Sequence, residues 1–141
     1  MTYATLTDLI ARAGATDIRE TADRDGDGMP DPDVVAAALA DADNIVNGYL
    51  AVRYTTPLTS VPEIVLTWSV SIARYILHRY GAPDHVTADY KDAIAQLKDV
   101  SSGRMALPVA EGESAAATAT GQVMAEHPPQ VFTPAKLRGW N

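Results

Sequence analysis

Apolar residues recur along this 141-residue chain at helical spacing, not at the two-residue alternation of strands. Residues 6–13 form the first candidate helix, with Thr5 or Thr7 as its cap and Gly14 as its stop. A short helical turn over residues 17–22 follows. The second long helix begins at Pro32, a residue well tolerated in a first turn, with Asp31 in the capping position. Its apolar stripe reads Val35, Leu39, Ala42, Ile45/Val46 and Tyr49, and Asp33, Asp41, Asp43 and Asn47 are assigned to the opposite, solvated face. The third opens at Pro62 with Glu63 in the first turn, where the helix dipole favours an acid. Over residues 64–80 it is apolar almost all round, which predicts a place at the centre of a bundle or against a second subunit. Gly81 and Pro83 end it. A fourth helix starts near Thr87, carries Tyr90, Ile94 (or Ala93), Leu97 and Val100 on one face, and stops at Gly103. The pattern predicts an all-α fold: a small bundle of about four helices with an extended C-terminal arm.

The pattern lapses after Leu107. Residues 108–129 are dominated by Ala, Thr, Gly, Ser and Pro, with no periodicity able to bury a face, and read as a linker. Character returns in VFTPAKLRGWN (131–141), where Val131, Phe132, Leu137 and Trp140 accompany Lys136 and Arg138. The chain thus divides into a helical domain, 1–107, and a linker with a terminal motif, 108–141. The residues leave two fates open for that motif: docking on another chain, or folding back on its own domain.

Composition changes the picture in three places. There is no Cys, which removes disulfides and thiolate metal sites. The opening MTYATLTDLI has no basic region or long apolar core, so no secretory signal is expected, and no apolar run approaches membrane-span length. The net charge of −7 sits entirely in residues 1–50, which hold ten of the 18 acids and three of the 11 bases; the remaining eight of each cancel. Such a balance argues against direct nucleic-acid binding, which wants clustered Lys and Arg to displace counterions, and no sequence-specific nucleic-acid binding is expected.

The acids concentrate in DRDGDGMPDPD (23–33). Counted from Asp23, carboxylates stand at positions 1, 3, 5, 9 and 11, with Gly28 at position 6. Alternating Asp residues on a tight loop suit Ca²⁺, which takes six to eight oxygens. Asp23, Asp25, Asp27 and Asp31, with the Met29 carbonyl, are the candidate ligands. The match to an EF-hand-like loop fails at position 12, where Val34 replaces the expected bidentate acid. The residues leave a Ca²⁺-filled loop and a set of solvated, capping acids both open. Catalytic constellations are missing: no phosphate-binding Gly loop, no nucleophile elbow, no H-E-x-x-H. His78, His85 and His127 form no ligand set by spacing. A non-enzymatic protein is expected.

Several motifs carry a resemblance. TYATLTDLIARAG at the start, the Asp-rich loop, Tyr49-Leu50, Arg53-Tyr54, Pro57-Leu58, Val61-Pro62, Ile72-Ala73-Arg74-Tyr75 and the closing VFTPAKLRGW occur in this order. The chain resembles the Mu-like tailed-phage and prophage family of small virion proteins described as head-completion or head–tail connector proteins; adaptors of gene-transfer particles are similar. The resemblance implies a homo-oligomeric ring, commonly of twelve subunits, between the portal protein and tail-side connector or stopper proteins, with DNA passing through it. It implies assembly into a virion or phage-like particle after synthesis in the bacterial cytoplasm, with no membrane partner. In that setting Val131, Phe132, Leu137, Arg138 and Trp140 are the expected interface residues. Arg53, Tyr54, Arg74 and Tyr75 are expected to be structural, with Arg74 tied to Asp43 or Asp41. The loop alone suggests another class, a Ca²⁺-stabilised bacterial protein-interaction module.

Overall fold

The computed structural model describes residues 2–109. Five helices follow one another: α1 (Leu6–Ala13), α2 (Ala15–Ala22), α3 (Pro32–Leu50), α4 (Glu63–Leu77) and α5 (Asp84–Ser102). Outside them the described residues form turns and loops, with a single bridge residue at Tyr54. The all-α class expected from periodicity is what the chain adopts. The count differs by one, because the turn expected at residues 17–22 is a full eight-residue helix.

A capping box starts α1: the Asp8 N–H donates to the Thr5 hydroxyl, and the Asp8 carboxylate accepts the Thr5 N–H at 2.8 Å. Gly14 then ends one helix and opens the next. Its N–H donates to the Ile10 carbonyl, its carbonyl accepts from Ile18, and its φ of +90° is open to glycine without a Cβ penalty.

The most apolar helix is central, one of the two places its sequence predicts: α4 packs against α1, α2, α3 and α5. Trp68, in the middle of α4, is 1% exposed and places its one polar atom well, the indole N–H donating to Gln96 Oε1 at 2.7 Å. Around it Leu9, Ile18, Val46, Leu50, Ile72, Leu97 and Val100 are completely buried. Each such side chain contributes about 1.5–3 kcal/mol of transfer free energy, so these contacts between distant segments hold the five helices together.

Helix α4 stops at Leu77, three residues before the expected end. The cause is His78, whose Nδ1 lies 2.8 Å from the Arg74 carbonyl. A carbonyl only accepts, so Nδ1 carries the hydrogen and the imidazole caps the helix C-terminus in place of a further turn. Helix α5 starts at Asp84 behind Pro83, slightly earlier than expected, and ends at Gly103 in the left-handed conformation. The guanidinium of Arg53 lies against Gly103, where a Cβ would displace this movable chain end, and the φ of +84° is what favours glycine there.

Candidate functional site

The acidic loop is closed at its base. The Asp31 N–H donates to the Ala22 carbonyl at 3.0 Å, and the Arg24 N–H donates to Asp31 Oδ2 at 2.8 Å. Asp31 holds the N-cap position of α3, but its carboxylate makes no capping bond to that helix. It ties the loop instead, and only its backbone carbonyl accepts from Val35. Inside the loop Asp23 accepts the N–H groups of Gly26 and Gly28 at 2.7 and 2.8 Å, Asp25 accepts from Asp27, and Asp27 from Met29. These short-range bonds are what alternating Asp and Gly favour. They turn four carboxylates inward: Asp23, Asp25, Asp27 and Asp31 each place an oxygen so that all lie within 4.8 Å of one another. Asp33 is outside this group, and Met29 contributes its N–H to the loop while its side chain is exposed.

The charges respond to this crowding. Asp23 is held below the usual carboxylate range, chiefly by the Gly28 N–H. Asp25 is pushed above it: the Asp27 N–H works against the shift, but desolvation and the like charges of Asp27 and Asp31 outweigh it. Four converging carboxylates with free lone pairs are an oxygen donor set of the kind a hard divalent cation takes. No other group of three or more potential ligands occurs among the described residues.

The expected structural residues have identifiable tasks. The Arg74 Nε donates to Asp17 Oδ2 at 2.9 Å, and Nη2 lies 3.4 Å from His85 Nε2. Its partner is therefore Asp17 of α2, not Asp43 or Asp41. Helix geometry explains the correction: Ser69, which meets Asp43, and Arg74 are five residues apart, roughly 140° around α4. His78 Nε2 lies 3.7 Å from the other Asp17 oxygen, beyond hydrogen-bond distance, so the Arg74–Asp17 pair is what joins α2 to the last turn of α4. Tyr75 stacks on Tyr90 of α5 with ring centroids 4.1 Å apart. Arg53 packs at Gly103, and the Tyr54 hydroxyl accepts the Leu107 N–H at 2.9 Å. That bond holds Leu107, near the end of the described residues, close to the C-terminal end of α3.

The pattern misassigned Asp43. It is 7% exposed, not solvated, and receives the Tyr3 N–H at 3.1 and 3.2 Å and the Ser69 hydroxyl at 3.0 Å. Burial pushes its carboxyl above the ordinary range, while the Ser69 hydroxyl and Tyr3 N–H pull it back. The Tyr3 hydroxyl in turn donates to Asn47 Oδ1 and accepts the Leu58 N–H at 2.9 Å. One polar string thus ties the N-terminus to α3, α4 and the loop after α3. A signal was present: Asp43 adjoins Ala42 and precedes Val46 by one turn. The interface residues Val131, Phe132, Leu137, Arg138 and Trp140 lie outside the described residues.

Comparison with known proteins supplies the kinship. A profile of the family described as Bacteriophage Mu, Gp36 matches residues 3–126. Gene product J of Escherichia phage Mu is 35% identical over 135 residues, 94% of this chain and 95% of that protein. The Mu-like prophage FluMu protein gp36 of Haemophilus influenzae is 34% identical over 90 residues, 64% of each chain. The chain is a protein of the Mu-like phage and prophage class. It belongs to the Bacteriophage Mu Gp36 family.

Proposed function

We propose that this protein is a structural component of the phage particle: a head–tail connector that assembles as a ring between the portal and tail-side proteins and lets DNA pass. The observation that carries this reading is the end-to-end likeness to a phage Mu gene product, which makes a phage role the starting point. Two physical features support the finer assignment. All the excess negative charge lies in residues 1–50, and a duplex slides past like charge without adhering. Leu107 is held by Tyr54 near the end of α3, which gives residues 108–141 a fixed point of attachment. In this reading the protein is not an enzyme, and 131–141 is its docking arm.

Deleting the gene from an inducible phage or prophage tests the role. A connector's loss leaves filled heads and free tails that do not join. Normal yields of joined, infectious particles would refute it.

The convergence of Asp23, Asp25, Asp27 and Asp31 favours a second reading, a Ca²⁺-stabilised interaction module. The two are compatible, since a cation that fixes the entry to α3 would stiffen a connector subunit as well as any other.

A further inference from the structure

Between α3 and α5 the surface is indented by a groove of about 450 Å³, lined by Asn44, Ile45, Gly48, Tyr49, Tyr90 and Ile94. Ile45, Tyr49, Tyr90 and Ile94 are half-buried against the core, so each offers part of its apolar surface to this space. Val52, one turn beyond Gly48, is 63% exposed. Val52 belongs to the turn after α3, between the groove and Tyr54, whose hydroxyl holds Leu107.

We propose that this groove is the receptor for residues 131–140 of an adjacent copy of this chain, with Phe132 and Trp140 as the anchoring side chains. Three observations select this occupant. First, the point of attachment and the groove share α3: Tyr54, which holds Leu107, lies just past the end of the helix that forms one wall. Second, reach is ample, because the 21 residues 110–130 span up to about 70 Å when extended. That is enough to reach the groove of an adjacent copy. Third, the chemistry matches: the arm ends in two aromatics and a Leu within nine residues, and the groove is walled by Tyr and Ile. Aromatic side chains that bury apolar area at an interface are the usual carriers of binding energy. The rim holds both signs, with exposed Asp41 one turn before Ile45 and exposed Lys91 and Lys98 on α5. Apolar burial, not net charge, therefore decides the fit, and Asp41 offers Lys136 or Arg138 a counter-charge.

The inference rests on the reading of 131–141 as a docking arm and names its receptor. The chain has no Cys, so introduced thiols are unique. Gly48 is a safe site for one, because an added Cβ there meets nothing within 4 Å. The full chain carrying Gly48→Cys and Thr133→Cys is oxidised and its links are mapped by mass spectrometry; Glu20→Cys with Thr133→Cys is the control. A 48–133 link between two chains is expected, and adding Phe132→Ala and Trp140→Ala should abolish it; a link confined to one chain would overturn the proposal. A 48–133 yield no higher than the 20–133 control would overturn the proposal. So would a link that survives loss of both aromatics, or a 48–48 link showing that the groove covers itself in a dimer. Should deletion of 131–141 block portal association while no 48–133 link forms, the docking arm stands and only its receptor is wrong.

Discussion

Asp43 Oδ1 accepts the Ser69 hydroxyl at 3.0 Å in the interior of the α3–α4 contact, where Ser69 is fully buried. Both partners are polar groups in an apolar surround, and the Tyr3 N–H completes the set. Asp43→Ala leaves that N–H and the Ser69 hydroxyl without an acceptor. The expected loss is about 2–4 kcal/mol, since each orphaned buried group costs about 1–3 kcal/mol. Ser69→Ala, which removes one neutral donor, should cost about 1 kcal/mol. Urea unfolding reads both, as a shift of midpoint at unchanged slope.

The same carboxylate makes stability depend on pH in an unusual direction. Its folded pKa is raised, so the folded state binds the proton more tightly than the unfolded chain does. The stabilisation it gives is complete below the ordinary Asp pKa and is lost as pH rises through the raised value. Asp43→Asn lacks this component but keeps every other acid, including Asp8 and Asp23, whose lowered pKa values act oppositely. The difference in melting temperature between parent and Asp43→Asn should therefore shift against the parent as pH rises above the usual carboxylate range, then level off. A difference that moves in the parent's favour would contradict the burial argument.

Arg74 and Asp17 join α4 to α2 at 2.9 Å with only 16% and 27% of their side chains exposed. A double-mutant cycle with Arg74→Ala and Asp17→Ala should give a coupling of about 1–2 kcal/mol. The comparison pair Arg12–Glu63, at 3.3 Å but 39% and 89% exposed, should give close to zero.

For the acidic loop the expected outcome is a Ca²⁺-dependent melting curve. Two unit charges at about 4 Å repel by roughly 1 kcal/mol in water, and more when partly desolvated, so a bound cation relieves a real cost. Melting in Ca²⁺ should occur above melting in EDTA. Asp25→Asn with Asp27→Asn should reduce the difference while raising the EDTA value. Identical curves in Ca²⁺ and EDTA would remove the cation from the account.

Periodicity read the long helices well because burial of one face is a local pattern: Val35, Leu39, Ala42 and Val46 of α3, and Ala93, Leu97 and Val100 of α5, are all core residues. Gly14 and Gly103 marked their boundaries for the reason the backbone confirms, a positive φ. Misreadings arose where the decisive partner is remote in sequence. Asp43 looked solvated because its charge is visible in the sequence while Tyr3 and Ser69, 40 and 26 residues away, are not recognisable as its partners. Arg74 was given the wrong acid for the same reason, since Asp17 is 57 residues distant. The early stop of α4 turns on a side-chain cap by His78 that no spacing rule encodes. In the loop, spacing marked the candidate residues but left converging and splayed carboxylates both open; the local hydrogen bonds of Asp23, Asp25 and Asp27 are what bring the four together.

Light scattering on size-exclusion-purified mixtures of portal protein with the full chain, or with the chain lacking 131–141, tests the assembly claim most directly. The full chain should add several copies to the portal, whereas the shortened chain, with the same helix content by circular dichroism, should add none. A shortened chain that still loads onto the portal, or a full chain that stays monomeric beside it, would contradict the account.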